Sequence, residues 1–440
     1  MKIRRTAEQQ LTKWKSSARR KPLVLRGARQ VGKTWLLRHF GTTQYDQLAY
    51  FNFDEQPELR QFFAETKDIQ RILRNLSLVN GREIRPHKTL IIFDEIQECK
   101  EALAALKYFN ENAPDYHVAS AGSLLGVAIS DGRTFPVGQV DFIDLFPLSF
   151  LEFLSGINPQ MHDYLQSIDQ VSPIPDIFFS QLLEYYKSYF ISGGMPEAVV
   201  VLHEDKEVES VQKILQNILN AYALDFSKHI GRPDILKVGY IWNSIPSQLA
   251  RENRKFLYQA VRKGARAREY ENAIEWLSRA GLVYKIHRAT APRLPLSSYR
   301  DLSAFKLYMI DVGLLRRFSL LTPSALSEGN RLLTEFKGAL SENYILQSLI
   351  PQFESIPAYW TSGNRAEVDY LVQYENSIIP IEVKSSENIK GRSLNEYTKL
   401  HEPPLRIRFS LRNLEFREGL LNIPLFMADL TTRLIHLLPK

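Results

Sequence analysis

The sequence predicts an α/β chain of several domains, and three observations carry that expectation. Its 440 residues exceed what one compact core holds. Short apolar runs alternate with amphipathic segments through residues 1–150, the pattern of a parallel sheet covered by helices on both faces. Strand-like runs then return near the C-terminal end after a mostly helical stretch. With 44% hydrophobic and 24% charged residues, the composition excludes a disordered or fibrous chain.

Taken in order, Leu23–Leu25, Leu48–Phe51, Thr89–Phe93 and Tyr116–Ala119 read as buried parallel strands. Residues 150–235 read as helical, punctuated at Gly193-Gly194-Met195-Pro196, where two glycines and a proline must end a helix. From 236 to 320 the chain predicts short helices. An arginine-rich one comes first, then Tyr270–Ala280 closed by Gly281, then a strand over Leu282–Ile286, the order of a helix-turn-helix with a β-wing. A helix over 335–350 leads into strands over 367–373 and 378–383, so a further α/β domain begins near 330. The boundaries expected are 1–160, 161–235, 236–325 and 330–440.

No apolar run reaches the ~18 residues that cross a bilayer, and polar residues follow Met1-Lys2-Ile3-Arg4-Arg5, so the sequence points to the cytoplasm and away from membranes. The single cysteine, Cys99, allows neither an internal disulfide nor a cysteine-based zinc site and reads as a small buried apolar residue. The nine histidines show no metal-ligand spacing. A net charge of +7 is compatible with nucleic acid without demanding it. Basic residues cluster at Arg251, Arg254, Lys255, Arg262, Lys263, Arg266 and Arg268, and again at Lys13, Lys15, Arg19, Arg20 and Lys21. Each cluster suits either a phosphate-contacting face or a solvated helix surface.

The sharpest motif is Gly27-Ala28-Arg29-Gln30-Val31-Gly32-Lys33-Thr34, a G-x-x-x-x-G-K-[ST] run between a predicted strand and a predicted helix. Glycines let backbone N–H groups curl around a β-phosphate, and the helix N-terminus adds a favourable dipole. Lys33 reaches the β/γ-phosphates and the Thr34 hydroxyl ligands Mg²⁺, so the motif predicts a site for ATP with magnesium. A second element stands where such a site needs it: the apolar strand Leu90–Phe93 delivers Asp94 and Glu95 to its C-terminal end. Asp94 is expected to hold the magnesium and Glu95 to orient and deprotonate the attacking water. Alone, the two acids equally suit capping of the next helix. The run Ser120-Ala121-Gly122-Ser123 ends a later strand, and Ser123 is the candidate γ-phosphate sensor, though a plain turn explains it as well. Arg133, or an arginine of a neighbouring copy, is the candidate transition-state cation.

With these residues in view, the chain resembles a family of prokaryotic AAA-type P-loop ATPases that carry a C-terminal domain of the restriction-endonuclease-like, PD-(D/E)XK nuclease class. The carriers are Gly27–Thr34, Leu90–Gln97, Phe146–Phe153, Gly193–Glu197 and Ala366–Ser385. The resemblance implies an AAA-type core, a helical lid or spacer, a winged-helix domain and the nuclease-like domain. It departs in one place, since members often show Gly-Arg or Gly-Lys before the Pro-Leu-Ser segment and here Gln139 follows Gly138. In the nuclease pattern, Asp369 and Glu382 ligand Mg²⁺, Lys384 stabilises or activates the hydrolytic water, and Glu342 fills an accessory acidic position. Residues 382 and 384 leave one face of a strand, and three carboxylates suit a hard cation. A charged, half-exposed strand gives the same D…E-x-K spacing.

Two functions follow from the sequence. One is an ATPase coupling its nucleotide cycle to action on double-stranded DNA, with a metal-dependent nuclease site. The alternative is a nucleotide-dependent switch that binds protein partners, its nuclease-like domain inactive. Assembly into oligomers is compatible with either.

Overall fold

A computed structural model describes residues 1–123, 135–230, 232–251, 254–322, 334–363, 366–385 and 391–439. The chain divides into two compact units, one of Arg4–Phe146 with Arg279–Leu282, the other of Met1–Ile3, Pro147–Ser278 and Val283–Lys440.

The first unit is built on a five-stranded parallel sheet whose strands lie in the order Gln47–Asn52, Thr89–Asp94, His117–Ala121, Leu23–Arg26, Asp141–Asp144. After helix α1 (Thr6–Ser16) come β1 (Leu23–Arg26), α2 (Lys33–Gln44) and β2 (Gln47–Asn52). Next are α3 (Arg60–Ala64), α4 (Ile69–Asn80), β3 (Thr89–Asp94), α5 (Lys100–Asn112), β4 (His117–Ala121) and β5 (Asp141–Asp144). Parallel strands need long crossovers, and α2, α4 and α5 supply them. Every residue of β3 and β4 is buried, which is why Leu90–Phe93 and Val118–Ala121 appear in the sequence as unbroken apolar or small-residue runs. Helix α4 starts on Asp68, whose carboxylate accepts from the N–H groups of Gln70 and Arg71, and it stops at Gly81 with φ 70°. An aromatic cluster of Phe51, Phe53, Phe63, Phe93 and Phe109 fills the core beside the sheet, with ring centroids 5.6–6.2 Å apart. Because the strands are parallel, the C-terminal ends of β1, β3 and β4 open on one edge, and the sequence motifs lie there.

The second unit begins helically: α6 (Phe150–Ile157), α7 (Pro159–Ser167), α8 (Asp176–Ser192), α9 (Pro196–Glu204), α10 (Val208–His229) and α11 (Arg232–Leu249). Ser149 opens α6 with a capping box closed by Glu152. The Gly193-Gly194 turn ends α8, and the glycines are required by close approach. A Cβ on Gly193, at φ 63°, would sit 2.1 Å from Asp311 Oδ1, and one on Gly194 would sit 2.1 Å from the Leu148 carbonyl oxygen. The Gly194 N–H donates to Asp311 at 2.6 Å. Burial pushes the Asp311 carboxyl up to about 6.

After α12 (Tyr258–Val261) and α13 (Ala267–Arg279) come the antiparallel pair β6 (Val283–Ala289) and β7 (Arg300–Met309), then α14 (Val312–Phe318) and α15 (Thr334–Leu349). The chain closes with β8 (Ala358–Thr361), β9 (Glu367–Tyr374), β10 (Ser377–Val383), α16 (Arg392–His401), β11 (Arg406–Ser410), β12 (Glu415–Arg417), β13 (Leu420–Pro424) and α17 (Thr431–His436). These strands form one eight-stranded sheet, β12-β13-β11-β10-β9-β8-β6-β7. Pairing of Arg288 with Tyr359 joins β6 to β8, so the sheet runs across the 325–330 boundary read from the sequence. The arginine-rich helix does not form as expected. Among the described residues of 251–268, only Tyr258–Val261 and the start of α13 are helical, and left-handed backbone at Arg254 (φ 47°) and Gly264 (φ 83°) breaks the run. Among the described residues, no helix is long and apolar enough to cross a membrane.

Candidate functional site: the loop after strand β1

The loop between β1 and α2 is shaped by three unusual backbone positions. Gly27 has φ 153°, and a Cβ there would lie 2.2 Å from the Leu145 carbonyl oxygen. Gln30 (φ 66°) and Gly32 (φ 94°) are left-handed, which turns the chain into the first residue of α2. Lys33 is buried, and its Nζ donates to the carbonyl oxygens of Gly27 at 2.9 Å and Ala28 at 2.7 Å. Burial depresses its ammonium to about 8, opposed by the charges of Glu95 and Asp94.

The structure brings the predicted residues together. Thr34 Oγ1 donates to Asp94 Oδ2 at 2.7 Å across the gap between α2 and β3. Glu95 follows with φ 48°, a left-handed position a side chain rarely takes. Its carboxylate accepts from Gln97 Nε2 at 2.6 Å and from Ser123 Oγ at 3.2 Å and Ser123 N–H at 3.3 Å. Ser123, read from the sequence as sensor or turn, thus touches Glu95. Arg133 lies outside the described residues.

Two contributors escaped the sequence reading. Tyr50 on β2 donates its hydroxyl to Asp94 Oδ2 at 2.8 Å, so two hydroxyls share that one oxygen. Gln97 steadies Glu95. Neighbouring placement of β2 and β3 was the available signal, since Tyr50 pairs in register with Ile92, two residues before Asp94 on the same face. The donor set is chemically coherent: buried ammonium, backbone N–H groups at a helix N-terminus, a hydroxyl beside a carboxylate, and a second carboxylate held on a polar tether. Thr34 and Asp94 present hard oxygen donors 2.7 Å apart, which fits a divalent cation bound alongside phosphate.

The second predicted group, in the other unit, is arranged differently. Lys384 Nζ lies 3.2 Å from Glu382 Oε1, as same-face alternation predicts, and Arg408 Nε lies 3.4 Å from Glu382 Oε2. Asp369 accepts from the Val383 N–H at 2.8 Å. Glu342 pairs with Arg254 and accepts from Tyr308 Oη at 3.1 Å. Lys306, wholly buried, pairs with Glu367. Glu342, Asp369 and Glu382 are therefore each engaged by the chain's own donors. Among the described residues, no group of three or more His, Cys, Asp or Glu side chains is arranged to hold a metal ion. The carboxylates expected to form the cage are thus engaged separately, and Glu382 Oε1 is buried with no hydrogen-bond partner. Arg254 and Arg408 were not foreseen as partners of Glu342 and Glu382, nor Lys306 as the partner of Glu367.

Comparison with known proteins bears on the two units unequally. Residues 19–154 match the AAA domain family, a span that includes Gly27–Thr34, Asp94, Glu95 and Ser123, so the N-terminal segment is of AAA type. Residues 183–325 match a domain of unknown function, DUF8612, and residues 337–426 another, DUF4143, whose description names no nuclease. The chain is similar to the uncharacterized protein MJ1544 of Methanocaldococcus jannaschii, at 23% identity over 389 residues that cover 86% of this chain and 78% of that protein. Among solved structures it is similar to the Walker-type ATPase paby2304 of Pyrococcus abyssi, at 14% identity and a TM-score of 0.47, over 72% of this chain and 96% of that one. It is also similar to the Orc1 protein of Aeropyrum pernix in complex with DNA, at 13% identity and a TM-score of 0.29, over 73% and 93%.

Proposed function

We propose that the chain is a cytoplasmic, magnesium-dependent ATPase that couples its nucleotide cycle to action on DNA. The observation that carries the reading is the chain of contacts from Thr34 through Asp94 on one side and from Glu95 to Ser123 on the other, at the open edge of the parallel sheet. In this reading Lys33 exchanges the Gly27 and Ala28 carbonyls for β/γ-phosphate oxygens, and the loop N–H groups hold the β-phosphate. Thr34 and Asp94 hold magnesium, which supplies charge neutralisation at the phosphates. Glu95 orients the attacking water and accepts its proton. Ser123, bonded to Glu95, registers the γ-phosphate.

Coupling to DNA is supported by exposure of Arg251, Arg262, Lys263, Arg266 and Arg268, which surround α12 and open α13 ahead of the β6–β7 hairpin, the order of a winged helix. Five exposed cations on one short stretch suit phosphate contacts. Duplex DNA is expected to raise ATP turnover, with binding that weakens steeply as salt rises. The double variant Lys263→Ala/Arg266→Ala should lower the salt slope by about two contacts. Salt-insensitive behaviour, or no DNA retention at low salt, would reject the DNA reading. The pairing of Glu342 with Arg254 and of Glu382 with Arg408, together with the Val383 N–H on Asp369, favours the second reading over a standing nuclease. In it, the C-terminal domain binds protein partners under nucleotide control, and DNA-indifferent turnover is its signature.

A further inference from the structure

Strand β2 carries one hydroxyl into the nucleotide site, and three neighbours fix where it points. Asn52, buried at the end of β2, pairs in register with Asp94. Its Oδ1 accepts from the N–H groups of Asp54 at 2.9 Å and Glu55 at 3.3 Å, the backbone that leaves the strand. An amide whose oxygen is occupied in this way turns its NH₂ group the other way, and Asn52 Nδ2 lies 3.5 Å from Tyr50 Oη. With a donor on that side, Tyr50 Oη directs its own proton to Asp94 Oδ2, at 2.8 Å. The ring is seated as well, since the Arg38 guanidinium lies over it, 4.8 Å from the centroid. Arg38 stands one turn after Thr34 on α2, so the helix that brings the Thr34 hydroxyl to Asp94 also brings the cation that packs on Tyr50.

What Tyr50 gives Asp94 follows from the donors on that buried carboxylate. Oδ1 accepts from the Glu95 N–H at 3.1 Å, and Oδ2 accepts from Thr34 Oγ1 at 2.7 Å and from Tyr50 Oη. All three donors are neutral. They orient the carboxylate without cancelling the charge that attracts a cation, which a lysine or arginine in their place would do. Thr34 shares its oxygen with the metal in the ATPase reading, and the Glu95 N–H belongs to the residue assigned to the attacking water. Tyr50 is the donor with no second task at the site.

We propose that Tyr50 is a positioning residue for the metal: its hydroxyl holds Asp94 in the orientation that takes the divalent cation, and so sets how strongly the cation tightens the hold on nucleotide. The proposal rests on the reading of Thr34 and Asp94 as the magnesium site.

The test is the affinity of the full chain for a fluorescent, non-hydrolysable ATP analogue, measured with Mg²⁺ and with EDTA, in wild type, Tyr50→Phe and Asp94→Asn. Phenylalanine keeps the ring under Arg38 and removes the hydroxyl alone, and thermal unfolding verifies the fold. Wild type should bind more tightly with Mg²⁺ than with EDTA, and Asp94→Asn should lose that response. Tyr50→Phe should match wild type in EDTA and bind about tenfold more weakly in Mg²⁺, which is about 1.4 kcal/mol and the scale of one hydrogen bond to a carboxylate. Equal losses in Mg²⁺ and EDTA would mark a merely structural tyrosine and overturn the proposal. Wild type indifferent to Mg²⁺ overturns the magnesium reading and the proposal with it, whereas a responsive wild type with an unaltered Tyr50→Phe overturns the proposal alone. If Tyr50→Phe does not fold, Arg38→Ala decides in its place: its response to Mg²⁺ should fall, and an unchanged response overturns the proposal.

Discussion

At the scale of single residues, the nucleotide loop was the most legible part of the sequence because its chemistry fixes both residue type and spacing. Gly27, Lys33, Thr34, Asp94 and Glu95 stand out by residue type and spacing, and the structure sets Lys33 on the Gly27 carbonyl and Thr34 on Asp94. Tyr50 and Arg254 were not legible in the same way, since each acts on a partner that only the tertiary fold brings near. Lys33 carries a pH prediction. Its ammonium is depressed to about 8 by burial, and nearby phosphate oxygens restore the charged form. Nucleotide binding near pH 8 should therefore take up protons, and affinity should fall as pH rises beyond about 8. Calorimetry in buffers of differing ionisation enthalpy reads this directly, and proton release on binding contradicts it. The same shift has a stability sign. The unfolded chain holds this proton more tightly, so the charged lysine costs native stability below about 8, and the cost fades as pH rises toward 10.5.

At the scale of elements, strands β1, β3 and β4 were readable because parallel strands buried on both faces are continuous apolar runs. Strand β5 was missed. It is four residues long, lies at the sheet edge and has Phe142 exposed, so neither length nor pattern marks it. The expected arginine-rich helix is reduced to Tyr258–Val261, because backbone at Arg254 and Gly264 is committed to left-handed turns. The Gly193-Gly194 turn was located correctly as a helix end, yet the sequence did not show that its glycines are demanded by Asp311 and Leu148. Gly194→Ala should destabilise the second unit by about 3 kcal/mol, the upper range for overpacking a tight contact. A shift of the denaturant midpoint reads this, and a change below about 0.5 kcal/mol would show that the Leu148 segment yields easily.

At the scale of the whole molecule, the sequence reads as four domains, while the structure divides the chain into two compact units. Composition shifts and helix breakers were real signals, but they mark changes of secondary structure. The single residue pair joining β6 to β8 leaves no trace in local sequence, so the common eight-stranded sheet could not be foreseen. The D…E-x-K spacing shows the converse. It placed Glu382 and Lys384 side by side as predicted, while cations from distant segments decided what the carboxylates do.

The measurement that bears most directly on the central claim is steady-state ATP turnover with magnesium by the purified chain, beside Lys33→Ala and Glu95→Gln, with nucleotide binding measured on all three. Wild type should turn over ATP. Lys33→Ala should lose binding and turnover together, and Glu95→Gln should keep binding while its turnover falls by at least ~10²-fold, the scale of a lost general base. Undiminished turnover in Glu95→Gln, or ATP binding unchanged in Lys33→Ala, would contradict the assignment of this loop as the catalytic site.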